Sequence, residues 1–233
     1  MKLLLALLAK GGLGKLLMTG GTMLISMAVY ALSFGWPYAI GLVLLILVHE
    51  LGHFIAARQS GLNVGAPVFI PFVGAWISLK EARLAPATEA HVAIAGPMLG
   101  SVAAFVCYLI GVSGHGRIYM ALAQAGFMLN LFNLIPLATL DGGRLAGVIS
   151  PRLWLIGVPM LIGLFLWRPS PLLLLLAIFA APQVIRAIRG EVPRHATLAA
   201  GGDKVRYGAQ YVGLAAALAI MAFEAHEWLA ATG

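Results

Sequence analysis

Residues 49–53 read His-Glu-Leu-Gly-His and close an unbroken apolar run, Ala39 to Val48. On a helix, imidazoles four residues apart project from one face, and His-Glu-x-x-His is a zinc-hydrolase spacing in which the Glu serves as base. His49 and His53 are therefore candidate metal ligands, and Glu50 is a candidate catalytic acid/base. Ionisable side chains are costly inside a bilayer, so their presence in such a run marks a functional site. Together these features point to hydrolysis carried out within a membrane.

Two imidazoles leave a catalytic zinc one protein ligand short, because such sites use three and keep one position open. Carboxylates are scarce, with eight Asp and Glu in 233 residues. Glu81 and Glu89 fall in a loop, and Glu191, Asp203, Glu224 and Glu227 fall in loops or the tail. Asp141 differs, since it follows an apolar run directly in Asn133-Leu-Ile-Pro136-Leu-Ala-Thr-Leu-Asp141-Gly-Gly. Alone, Asp141 reads as the N-cap of a helix starting at Gly142. Beside His49, Glu50 and His53 in a span, it reads as the third ligand. Pro136 breaks its run shortly before Asp141, which lets backbone and water meet at the metal. Asn133 offers an amide donor to a substrate carbonyl or its oxyanion. Asn130 is assigned to a hydrogen bond between packed helices, and His91, His115, His195 and His226 to interfacial positions.

The elements that must carry these residues follow from composition. The chain is 61% hydrophobic and only 10% charged, with a mean hydropathy of +0.97. Soluble domains carry about 25% charged residues, so a membrane protein is implied. Seven apolar segments qualify as spans of roughly 20 residues: Leu17–Leu32, Tyr38–Ala57, His91–Val112, Ile118–Leu137, Leu145–Leu166, Pro171–Ile188 and Tyr207–Phe223. The fifth is interrupted by Ser150-Pro151 and Pro159 and should be kinked or broken. The seventh is alanine-rich and reads either as a span or as a peripheral helix. The expected fold is an all-α polytopic membrane protein with six to seven transmembrane helices and a short membrane-associated β-hairpin between the second and third spans. Residues 1–16 form a cytoplasmic interfacial segment, 17–144 a catalytic membrane core, and 145–233 additional transmembrane helices and a short tail.

The hairpin is expected within Asn63–Leu79, where Gly65, Pro67, Pro71 and Gly74 interrupt β-branched and aromatic residues. Its edge could take up an extended peptide, with Gly74 as a substrate-contact residue. A plain apolar connector stays open as the alternative. The net charge is +7. The positive-inside rule accounts for it without nucleic acid: with the N-terminus inside, only Arg117 and Arg168 of the 15 basic residues fall outside. That arrangement puts His49, His53 and Asp141 near the cytoplasmic side. The single cysteine, Cys107, excludes an internal disulfide and reads as a small apolar packing residue.

These motifs resemble the site-2 protease family of intramembrane zinc metalloproteases. His49-Glu50-x-x-His53 within a span, Ala95-Gly96-Pro97 early in the next, and Asn133-x-x-Pro136-x-x-x-Leu140-Asp141-Gly142-Gly143 carry the resemblance. It covers roughly Leu42 to Arg144. It implies one zinc ion on His49, His53 and Asp141, with Glu50 as acid/base. It also implies cleavage of a membrane protein with a single transmembrane helix, engaged by the hairpin and Asn133. The segments between the motifs and after Phe223 are too short for the PDZ or CBS domains of many relatives, so a minimal form is expected. Ala138-Thr139 departs from the proline-rich version of the Asp motif without touching a ligand. Two rivals come from other classes. A divalent-metal transporter needs polar ligands on several helices at mid-membrane, which the other spans lack. A silent metal-binding pseudoprotease acting as a membrane chaperone needs no base at Glu50.

Overall fold

The computed structural model describes residues 12–64, 68–70, 74–76, 84–114, 116–137, 139–167, 169–191 and 199–232. Helix α1 spans Gly12–Phe34 and α2 spans Trp36–Gln59. Between them Gly35 turns the chain at φ +80°, and Pro37 stands in the first turn of α2, where its missing N–H costs nothing. The other end of α2 is closed by a Schellman arrangement. Gly61, at φ +76°, donates to the Arg58 carbonyl, and Leu62 donates to that of Ala57. Strands β1 (Val68–Ile70) and β2 (Gly74–Trp76) follow.

Helix α3, Pro86–Val112, holds Pro97 inside it and ends at Ser113. Helix α4, Arg117–Asn133, stops three residues before Pro136, which disfavours helix in the residue preceding it. Helix α5, Asp141–Ile149, is cut off at Ser150-Pro151 by a 3-10 turn, Pro151–Leu153. Helix α6 (Trp154–Trp167), α7 (Pro171–Ile188) and the 31-residue α8 (Gly201–Ala231) complete the chain.

Helices α2, α3 and α4 pack on one another, α1 packs on α2, and α8 lies against α4, α5 and α3. The main core joins Ala93, Ala104, Phe127, Leu145 and Val148 with Tyr207, Leu218 and Ala225 of α8. A second cluster packs Ile135, Leu137 and Leu140 against α6 and α7. Helices α2 and α3 come into close contact at Gly52, where a Cβ would strike the Ala95 backbone.

The distribution of polarity is inverted relative to a water-soluble protein. His49, Glu50, His53 and Asn130 are buried, while Leu24, Leu32, Val102, Ile178 and Phe223 face outward. Large apolar surfaces of this kind mark a membrane-facing exterior.

The expected fold class requires correction. Among the described residues three helices are long and apolar enough to cross a membrane, α2, α3 and α8, in place of six to seven. The fourth and fifth segments are shortened by breakers that a hydropathy window averages over. Pro136 lies just beyond the end of the 17-residue α4, and Ser150-Pro151 divides the fifth segment into α5 and α6. Pro159 sits inside α6 without ending it. Among the described residues the architecture is helical, and in place of the expected membrane-associated β-hairpin there are only a bridge residue at Val64 and three antiparallel residue pairs, Val68↔Trp76, Phe69↔Ala75 and Ile70↔Gly74, which add no sheet layer. Residues 1–11 of the expected interfacial segment and 71–73 of the expected turn lie outside the described residues.

Candidate metal centre

Four residues on one helix bring His49 and His53 to the same side of α2, with their rings edge-on and centroids 4.8 Å apart. Asp141 arrives from the start of α5. The His49 and His53 Nε2 atoms are 3.1 Å apart. Asp141 Oδ2 lies 3.2 Å from the first and 3.1 Å from the second. Among the described residues this is the one group of three or more His, Cys, Asp or Glu side chains able to hold a metal ion. Asp141 is the first residue of its helix, and the N-cap position belongs to Leu140. The Asp141 carboxylate is directed at the two histidines, in a group that could hold a metal ion.

The outer nitrogens of both rings are committed. His53 Nδ1 is 2.7 Å from the Val92 carbonyl oxygen, which can only accept, so that nitrogen donates. His49 Nδ1 is 2.8 Å from Asn130 Oδ1. The Asn130 Nδ2 donates to the Gly126 carbonyl at 2.7 Å, which orients the amide and leaves its oxygen to accept from His49. Each ring thus presents Nε2 to the centre, the position where a metal replaces any proton. Burial pushes the Asp141 carboxyl up, but the facing imidazoles, through charge and hydrogen bonds, hold it below the usual carboxylate range. The α5 N-terminus favours the same anion.

Two imidazoles and a carboxylate suit zinc. Bonds of about 2.0–2.1 Å in tetrahedral geometry separate ligand atoms by about 3.3 Å, close to the 3.1–3.2 Å observed. The residues present therefore fit the ion. The neighbouring helix is shaped to this centre. A Cβ at Gly96 would meet His53 Nε2, and one at Gly100 would meet Asn130 Oδ1. Glu50 is 8% exposed and close enough to interact electrostatically with His49 and Asp141.

The other predicted site residues are not in the cluster. Asn133 donates to the Leu129 carbonyl of its own helix at 3.1 Å. Pro136 is buried, and its carbonyl faces Gly157 of α6. Gly74 opens β2, which lies against α2. Asn130, assigned to a hydrogen bond between packed helices, makes one, and its partner is His49 on α2. Its signal was a buried amide one helical turn from Asn133, together with the outer hydrogen bond that a metal-bound imidazole makes. Nothing in the sequence marks the Val92 carbonyl. Glu89 pairs with Arg144 at 3.8 Å and His226 with Gln124 at 3.0 Å. His115, His195 and Glu81 lie outside the described residues.

A buried His-His-Asp group with an adjoining carboxylate, set among apolar helices, defines a metal centre of a membrane protein. Residues 37–118 match the model of peptidase family M50, which bears out the resemblance to the site-2 proteases. A zinc metalloprotease of Methanocaldococcus jannaschii, MJ0392, is 27% identical over 113 residues, 46% of this chain and 32% of the relative. The putative zinc metalloprotease Rip3 of Mycobacterium tuberculosis is 34% identical over 115 residues, 46% of this chain and 29% of the relative. The putative zinc metalloprotease sll0528 of a Synechocystis species is 34% identical over 125 residues, 48% of this chain and 32% of the relative. The matched stretches thus cover about a third of the length of these curated relatives. The family match ends at residue 118, so Asp141 joins the centre on geometry.

Proposed function

We propose that this protein is an intramembrane zinc metalloprotease that hydrolyses a peptide bond in or near the transmembrane segment of a membrane-protein substrate. The observation that carries the reading is the convergence of His49, His53 and Asp141 beside Glu50, buried among apolar helices. His49, His53 and Asp141 would hold the zinc, which when bound would supply Lewis acidity towards a carbonyl and towards water near neutral pH. The Glu50 carboxylate takes the proton of the attacking water and returns it to the leaving amine. The surrounding helices exclude bulk solvent, which strengthens each of these electrostatic interactions. Asn133 and Gly74 line the path of the substrate, and Pro136 contributes by ending α4 ahead of Asp141.

The protein is proposed to be multi-pass, with the centre near the cytoplasmic side. Charge supports this orientation. Arg58 at the end of α2, Arg144 in α5, and Lys204 and Arg206 in the first turns of α8 gather towards the end of the helices where the site lies. Arg117 holds the opposite end beside Leu229 and Thr232. Basic residues accumulate on the cytoplasmic side of membrane proteins.

A helical substrate hides its carbonyls in hydrogen bonds and must unwind locally. Gly or Pro in the target span makes unwinding cheaper. The test is cleavage of single-span substrates co-reconstituted in liposomes, with cut sites mapped by mass spectrometry. Cuts within or at the border of the span are expected, faster by several-fold when the span carries a Gly-Pro pair. Cuts confined to soluble loops would overturn the reading.

A further inference from the structure

Helix α8 lies wholly outside the segment that matches the peptidase family, yet it is bonded to the chain that delivers the third metal ligand. The Tyr211 hydroxyl donates to the Leu134 carbonyl at 2.6 Å. Leu134 closes α4, and carbonyls in the last turn of a helix lack intrahelical partners. The same carbonyl oxygen faces Gly142, where a Cβ would strike it and the Ile135 carbonyl. The Leu134 carbonyl is thus held between the Tyr211 hydroxyl on one side and the first turn of α5 on the other. Asp141 is the residue immediately before Gly142. Before Asp141, Leu137 donates to the Ile135 carbonyl and Leu140 to that of Leu137.

We propose that Tyr211 is a positioning residue for Asp141. Its hydroxyl fixes the carbonyl against which α5 is seated, so that α8 sets the place of the third metal ligand. The proposal rests on the metal-centre reading above and extends it to a helix that the family match does not reach. Helix α8 has a second attachment that serves as a control. At the far end of α4, Arg117 donates to the Leu229 and Thr232 carbonyls at 3.0 and 2.9 Å. That attachment holds the same two helices together without touching Leu134.

The experiment compares wild type, Tyr211→Phe and Arg117→Gln as full chains in detergent, using the folded fraction from size exclusion. Zinc affinity is read by chelator competition, and ligand geometry by the visible absorption of the cobalt-substituted protein. Tyr211→Phe keeps the ring and removes only the hydroxyl. It should weaken zinc binding about 3- to 10-fold, less than the 10–100-fold of residues bonded directly to a ligand, and shift the cobalt bands. Arg117→Gln should lower the melting temperature and leave affinity and bands unchanged. Wild-type affinity and bands in Tyr211→Phe would overturn the proposal. So would an equal loss in Arg117→Gln, which would show general loosening. A wild type that binds no zinc would overturn the metal-centre reading itself, a separate result.

Discussion

At the scale of single residues, the centre is organised by what each imidazole does with its outer nitrogen. Asn130 is 1% exposed and accepts from His49 while its own Nδ2 donates to the Gly126 carbonyl. Asn130→Ala leaves a buried ring nitrogen without a partner and frees the ring to turn. Zinc affinity should fall about 10- to 100-fold by chelator competition, and Asn130→Asp, which keeps an acceptor, should recover most of it. Equal affinity in all three proteins would remove Asn130 from the centre. The grouping of His49, His53 and Asp141 was legible because chemistry restricts it: a zinc on two histidines needs a third donor, and few carboxylates follow a span. The choice between Asn130 and Asn133 was not legible. Three residues apart, they lie about 60° from each other around a helix, and only the rotation of α4 against α2 decides which meets His49.

At the scale of elements, the site depends on how closely α3 approaches α2. A methyl group at Gly96 would occupy the space of His53 Nε2, so Gly96→Ala should displace the imidazole and abolish stoichiometric zinc by elemental analysis. Gly20→Ala in α1, where nothing lies within 4 Å, should leave zinc unchanged and stabilise the helix by about 0.5–1 kcal/mol. Zinc retained in Gly96→Ala would show that α3 does not set the ring. Helix ends were readable from their breakers, as at Ser150-Pro151. The number of spans was not. Hydropathy sums over residues without registering where a helix stops, and so it counted α4 and the α5–α6 pair as full spans. Nor did the sequence show that α8 packs on the core, since its alanines suit a peripheral helix equally well.

At the scale of the whole molecule, the metal joins parts distant in sequence, α2 at residues 49 and 53 and α5 at residue 141. An ion that binds only the folded state stabilises it by mass action, about 2.7 kcal/mol at a hundred times its dissociation constant. Chelation should therefore lower the melting temperature, and added zinc should restore it. An unchanged melting temperature would mean that the three ligands do not share an ion. Glu50 separates a hydrolase from a silent metal-binding relative of the same shape. The most direct test of the account measures zinc content and cleavage of a single-span substrate together, in liposomes carrying either wild type or Glu50→Gln. The account predicts one zinc per chain in both, cleavage by wild type, and at least a hundredfold slower cleavage by Glu50→Gln (about 2.7 kcal/mol in barrier height). Wild-type cleavage by Glu50→Gln would contradict it.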